Sequence, residues 1–244
     1  MPDPYPLIDR EPVDGQLPNP SVWELLSQIE FDLRGTWVLV GGLMVLLHGL
    51  EAGHLPRRET ADADALVNVR LRPRATRDLS EWLLDAGLEF EGSSVTGTGH
   101  RFSNEVVTVD VLAPDNLGER ADTRTVPPHH TVQIPAGTRL LRDAALCPIR
   151  LDPDTIGYVP RPSLTAAIVG KAAALRLDDA KRHAEDLAFL LGLVPDPREV
   201  VARLSKSDLR HINRAKTLLG DNRIWTYSHD PDVARSTLTF LIAG

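Results

Sequence analysis

Apolar residues first recur at helical spacing at Val22, Leu25, Leu26 and Ile29, which predicts an amphipathic helix with Ser21 as its N-cap and Arg34-Gly35 as its end. The unbroken run Trp37-Val38-Leu39-Val40 reads as a buried strand. Gly41-Gly42 follows at once, and residues 43–50 then read as an apolar helix. Residues 51–59 form a charged loop ending Pro56-Arg57-Arg58-Glu59. Over residues 60–69 acids alternate with apolar positions, the period of a strand. Leu79, Leu83 and Leu84 predict a helix over 76–86, closed by Gly87. Further strands are expected around His100-Arg101-Phe102 and over 105–112. Residues 113–162 are rich in Pro, Gly and Asp, and predict short strands joined by turns.

The pattern changes at Ser163. Residues 164–177 are Ala-rich and helical, and a second helical run covers 180–193 after Asp178-Asp179. Pro195 and Pro197 interrupt the chain before helices over 198–204 and 209–219. The first twenty residues, rich in proline, predict an extended arm. The expected fold class is therefore α+β. A domain over 21–162 has a mixed β-sheet and flanking helices, and a mostly helical region covers 163–244.

Composition narrows the classes of function. Of the 244 residues, 42% are apolar and 25% charged, values of an ordinary globular chain rather than a disordered one. The single cysteine, Cys147, excludes an internal disulfide and a cysteine-based zinc cluster. The apolar stretch 37–50 is too short and too interrupted, by the glycine pair and His48, to span a bilayer, so no membrane partner is expected. Met1-Pro2-Asp3-Pro4 lacks the basic and apolar regions of a signal peptide, and a cytoplasmic location is expected. A net charge of −7 excludes a uniformly basic coat but leaves room for a local basic patch.

Asp62 and Asp64 are the first candidate chemistry. Two residues apart on a strand, they share a face and lie roughly 7 Å apart. Such a pair repels itself unless it is solvated on an exposed edge or neutralised by a cation such as Mg²⁺. Gly41-Gly42, between a strand and a helix, either makes a tight turn or lets backbone N–H groups approach a phosphate. Arg57 and Arg58 are suitable counter-charges for a triphosphate. Asp110, inside Val109-Asp110-Val111, is either a satisfied structural acid before Pro114 or a third carboxylate. If its strand lies beside that of Asp62 and Asp64, the three acids suit two metal ions.

Gly41-Gly42, then Arg58-Glu59-Thr60-Ala61-Asp62-Ala63-Asp64, then Asp110 resembles the signature of polymerase-β-type nucleotidyltransferases. The arginine two residues before the threonine is similar to the AbiEii/MenT branch, which includes toxins of type IV toxin–antitoxin systems. Lys171-Ala172-Ala173-Ala174-Leu175 and Arg182-His183-Ala184-Glu185-Asp186-Leu187 resemble that branch's lysine helix and its second acidic motif. The resemblance covers residues 37–193. His183 departs from it, standing where the branch usually has an acid.

The resemblance implies a nucleotidyltransferase-like sheet domain, an NTP as substrate and Mg²⁺ or Mn²⁺ as cofactor. Asp62, Asp64 and Asp110 would be metal ligands; with Lys171 and Asp186 they would be catalytic. Gly41, Gly42, Arg58, Thr60 and Lys171 would bind the nucleotide, and Asp186 would position the acceptor or the lysine. The implied acceptor is RNA, notably the tRNA 3′ end, and the implied protein partner is an antitoxin.

In one continuous helix Lys171 and Asp186 would lie about 22 Å apart, too far to serve one site. Either the helix breaks at Asp178-Asp179, with one of these acids capping the second helix, or Asp186 merely pairs with Arg182 at i,i+4. In 198–216 Arg198, Arg203, Lys206, Arg210, Arg214 and Lys216 stand against Asp196, Glu199 and Asp208. They form either a surface for a phosphate backbone or a solvated amphipathic face. Two other functions remain open: transfer to a small alcohol or a protein hydroxyl, which the acidic net charge suits, and a non-catalytic nucleotide-binding module. His129-His130 reads as a surface loop, Cys147 as a small buried residue, and Asp152 and Asp154 as turn residues. Ser93-Ser94 and Gly97-Thr98-Gly99 read as hairpin loops.

Overall fold

The computed structural model describes residues 5–14, 17–92, 97–118 and 121–243. Arm residues 1–4 and 15–16, and the Ser93-Ser94 loop, lie outside the described residues. The chain forms two compact units, Met1–Leu43 with Thr60–Pro162 and Met44–Glu59 with Ser163–Gly244. Residues 44–59, which the sequence pattern assigns to the first domain, thus belong by contact to the second unit.

In chain order the elements up to the sheet are α1 (Pro20–Asp32), β1 (Trp37–Val40), α2 (Gly41–Glu51), β2 (Ala63–Val67), α3 (Ala75–Asp85), β3 (Glu89–Phe90), β4 (Arg101–Ser103), β5 (Thr108–Pro114) and β6 (Val132–Ile134). Then follow α4 (Gly137–Arg142), β7 (Ala144–Arg150) and β8 (Ile156–Pro162). Six strands form one mixed sheet in the order β1-β2-β5-β4-β3, with β6 also on β5. β2 runs antiparallel to β1 and parallel to β5, and β5 is antiparallel to β4. β1, β2 and β5 are apolar because both of their faces are buried: Trp37, Leu39, Leu66, Val109 and Val111 are fully enclosed. α3 packs on β2 and β5 with Leu79 and Leu83, the helical stripe expected from the sequence.

Several local expectations are corrected. α1 begins at Pro20, so Asn19, not Ser21, is the N-cap; it makes no side-chain cap bond and donates instead to the Val106 carbonyl. The helix starts earlier because Pro is suited to a first-turn position, where its missing N–H costs nothing. β2 begins only at Ala63, leaving Asp62 before the strand. β5 begins at Thr108 because the Asn104 side chain accepts from the Val106 and Val107 N–H groups, turning the chain. The segment read as short strands also holds the helix α4, and its strands β7 and β8 make a seven-pair antiparallel ribbon. The described arm residues are docked: Ile8 N–H donates to the Leu146 carbonyl and Val13 N–H to the Pro148 carbonyl of β7.

The second unit continues with α5 (Leu164–Ala174), α6 (Ala180–Gly192), α7 (Pro197–Ala202), α8 (Lys206–Arg214), 3-10 turns over 215–220 and 224–227, and α9 (Pro231–Ala243). α8 and the following 3-10 turn replace the single helix expected over 209–219. Ser163 caps α5 by accepting from the Ala166 N–H, and residues 165–174 are buried all round, which explains its alanines: larger side chains would not fit between α6 and α8. The chain breaks after α5, and Leu177 and Ala180 N–H groups make turn bonds across 174–180. Asp179 is the N-cap of α6 by position but makes no side-chain cap bond; it pairs with Arg182 instead. Gly49 of α2 brings that helix against α6: a Cβ there would lie 2.6 Å from the His54 carbonyl and 2.8 Å from the Phe189 ring.

Among the described residues no helix is long and apolar enough to cross a membrane.

Candidate functional site

In the first unit, sheet register assembles a row of charge. Val40 of β1 is opposite Asp64 of β2, Asp64 is opposite Asp110 of β5, and Asp110 is opposite Arg101 of β4. Laterally paired residues share a face, with strands about 4.8 Å apart, so two carboxylates and a guanidinium stand side by side. Arg101 meets Asp110 as a fork: Nε donates to one carboxylate oxygen and a terminal nitrogen to the other, both at 2.8 Å. The same terminal nitrogen lies 3.4 Å from Asp62. His100 Nε2 is 4.0 Å from Asp110. The Asp110 hydrogen bonds and charge raise the Arg101 pKa above its ordinary value, against a smaller opposing effect of burial.

The acids reach the glycine pair. Gly41 has φ +67° and begins α2, and a Cβ on it would lie 1.7 Å from Asp64 Oδ2. No other residue satisfies both conditions: the left-handed backbone disfavours a side chain, and the Asp64 carboxylate fills the space one would take. Gly42 is buried in the first turn of α2, and Thr60 lies in the loop before β2, neither helix nor strand.

In the second unit a separate cluster forms around Asp186 of α6. Lys171 of α5 places Nζ 2.7 Å from Asp186 Oδ2, and both side chains are buried. Arg58 donates to both carboxylate oxygens, from Nε at 3.2 Å and a terminal nitrogen at 3.1 Å. The helix break therefore brings Lys171 to Asp186, and Asp186 does not serve as the i,i+4 partner of Arg182, which pairs with Asp179. Burial pushes the Asp186 carboxyl up, but the charges of Lys171 and Arg58 outweigh it and hold the pKa below the usual carboxylate range. His183, one turn before Asp186, has a buried Nδ1 with no hydrogen-bond partner. Burial, then the Lys171 charge, lower its pKa to about 4, so its ring is neutral at neutral pH. The loop carrying Arg57 and Arg58 is tethered by His54, whose ring stacks on His229 at 3.7 Å.

No family model and no curated protein matches the chain. In structure it is similar to an antigenic nucleotidyltransferase-like protein from Paracoccidioides brasiliensis, at 15% identity and a TM-score of 0.49, over 86% of this chain and 92% of that one.

The donor chemistry of the acidic row suits a hard divalent cation, since all its ligands would be carboxylate oxygens, and Asp64 packs against Gly41 at the start of α2. The positive charge between Asp62 and Asp110 is at present the Arg101 guanidinium. Among the described residues no group of three or more His, Cys, Asp or Glu is arranged to hold a metal ion.

Sequence reasoning brought Asp62, Asp64, Asp110 and Gly41 into one neighbourhood, and Lys171, Asp186 and Arg58 into another only in part. It read Arg58 as a triphosphate counter-charge and did not pair it with Asp186. It missed Arg101 altogether, although an arginine at the start of a short strand near an acidic one was a signal. Several described residues set aside in the sequence have other partners. His130 bonds Thr123, His129 stacks on Phe90, Cys147 is buried, and Asp152 accepts from the Asp154 N–H in a turn.

Proposed function

We propose that this chain is a metal-dependent nucleotidyltransferase, moving a nucleoside monophosphate from an NTP to an acceptor. One observation carries the reading: Asp64 and Asp110 stand in register on one sheet face, with Asp62 close by and Asp64 packed on the glycine that opens α2. Carboxylates so placed repel one another and need a positive charge among them, which the Arg101 guanidinium supplies in this structure and a divalent cation would supply in the working enzyme. Asp62, Asp64 and Asp110 would hold Mg²⁺ or Mn²⁺, which when bound would neutralise triphosphate charge and activate the attacking oxygen.

The other residues have roles that follow from their chemistry. The first N–H groups of α2, at Gly41 and Gly42, favour a negative group. Lys171 and Arg58 are cations suited to phosphate oxygens, and Asp186 holds both side chains in place. Thr60, in its loop, offers a hydroxyl to the nucleotide.

The acceptor we favour is RNA such as the tRNA 3′ end. Its support is the stretch of α7, α8 and the following turn, where Arg198, Arg203, Lys206, Arg210, Arg214 and Lys216 are all exposed. The resemblance to AbiEii/MenT toxins adds a restraining antitoxin to this reading. The test is pyrophosphate release from each NTP with Mg²⁺ and total RNA, an aminoglycoside or a protein mixture as acceptor. RNA-dependent release supports the reading. Release with the small alcohol or protein alone replaces the acceptor, and none with any acceptor removes the activity.

A further inference from the structure

A cleft of about 370 Å³ opens in the second unit between the start of α6, the end of α8 and the two 3-10 turns that follow it. That volume is in the range of sites that seat one small ligand. Leu175, Ala184, Leu218 and Ile224 give it apolar walls. Its polar groups are few: Lys181, Arg214, the Thr217 hydroxyl and the Asp221 carboxylate. Lys181 and Ala184 lie on a different face of α6 from His183 and Asp186, so the cleft is separate from the lysine–aspartate cluster.

We propose that this cleft holds one nucleotide of a single-stranded RNA, with its base between the apolar walls, its base edge toward Asp221 and its phosphate against Arg214 and Lys181. The inference rests on the RNA-acceptor reading and adds to it the place where the strand is gripped.

Charge selects the ligand. Arg214, the last residue of α8, is oriented by His211: one terminal nitrogen lies 2.8 Å from the ring Nδ1. Among the described residues no carboxylate is paired with Arg214, nor with the exposed Arg210 one turn before it or the exposed Lys216 two residues after it. Lys181 is 85% exposed, and its ion pair with Glu185 is long, at 3.9 Å. The positive charge thus extends along the chain past the cleft, which suits a strand of repeated phosphates better than a free nucleotide. Apolar walls flanked by such cations take an unstacked base and leave its phosphate outside.

The one acid sets the direction of the nucleotide. Asp221 accepts from the Arg223 N–H through one oxygen, which fixes its side chain at the cleft. A carboxylate repels phosphate and accepts an amino proton, so the base edge is the end that faces it. Cytosine presents an amino group where uracil presents a carbonyl, on a ring of the same size. The cleft therefore favours cytidine over uridine.

The experiment is fluorescence anisotropy of end-labelled cytidine and uridine oligomers, about eight nucleotides long, with the full chain at low salt and with neither NTP nor metal. The wild type should bind the cytidine oligomer about fivefold or more tightly than the uridine oligomer. Arg214, Thr217 and Asp221 are exposed, so their replacement leaves the core intact. Arg214→Gln should weaken both oligomers by about tenfold and lower the salt slope by about one unit. Thr217→Trp, which fills the cleft, should weaken both by about tenfold and leave the salt slope unchanged. Asp221→Ala should erase the difference between the two. Equal wild-type affinity for cytidine and uridine oligomers, or affinities that neither Arg214→Gln nor Thr217→Trp changes, would overturn the proposal while leaving RNA bound elsewhere on the chain. No binding of either oligomer would overturn the RNA reading with it; nucleotidyl transfer to another acceptor would stand, because the assay contains no NTP. Cytidine monophosphate should compete about tenfold or more weakly than the oligomer. Competition as strong as the oligomer's would overturn the strand and identify a site for a free nucleotide.

Discussion

Lys171 and Asp186, fifteen residues apart, meet at 2.7 Å in the interior of the second unit, and Arg58 closes the other side of the same carboxylate. The arrangement is asymmetric. Asp186 has two cationic partners, whereas Lys171 depends on Asp186. Asp186→Asn would leave a buried ammonium with only a neutral acceptor and should cost about 3–5 kcal/mol. Lys171→Met leaves Asp186 its Arg58 fork and should cost clearly less. Urea denaturation of the two variants checks this; equal losses would mean that Arg58 does not sustain the carboxylate.

Gly41 holds a backbone conformation that any side chain would strain. At φ +67°, alanine there costs about 1–3 kcal/mol for backbone alone. Its Cβ must also displace the Asp64 carboxylate. Gly41→Ala should therefore destabilise more in the wild type than in an Asp64→Gly background, where only the backbone cost remains. A double-mutant cycle measures the difference. Identical costs in both backgrounds would show that the contact does not matter.

His183 should make stability pH-dependent. Its pKa falls from 6.5 in the unfolded chain to about 4 in the folded one. Between those values the unfolded state binds the extra proton, so the contribution is fully present above 6.5 and is lost as pH falls toward 4. Asp186, whose pKa is lowered, contributes in the same direction below the ordinary carboxylate value. His229, lowered by burial and by His54, adds to the His183 window. The measurement is the slope of stability between pH 6.5 and 4, which His183→Gln should flatten relative to wild type. An unchanged slope would place the titration elsewhere.

The sequence made some of this legible for reasons of range. α3, the strand at Trp37 and the break before α6 follow from local periodicity, and each lies near where it was expected. The parallel pairing of Asp64 with Asp110 joins residues 46 positions apart in a register that no local pattern encodes. Arg101 was missed for the same reason: its importance comes from lying opposite Asp110, and β4 is too short to announce its neighbours. Arg58 was recognised as a useful cation, but its partner is 128 residues away. α4 was missed because six residues carry little periodicity.

The most direct test of nucleotidyl transfer uses NTPs labelled at the α-phosphate, Mg²⁺ and total RNA, with Asp64→Asn beside the wild type. Asn keeps the volume over Gly41 but removes the ligand charge. Covalent α-label on the RNA with wild type, reduced about a hundredfold or more in Asp64→Asn, is the expected result. Undiminished labelling by Asp64→Asn, or no covalent label on any acceptor with folded wild-type protein, would contradict it.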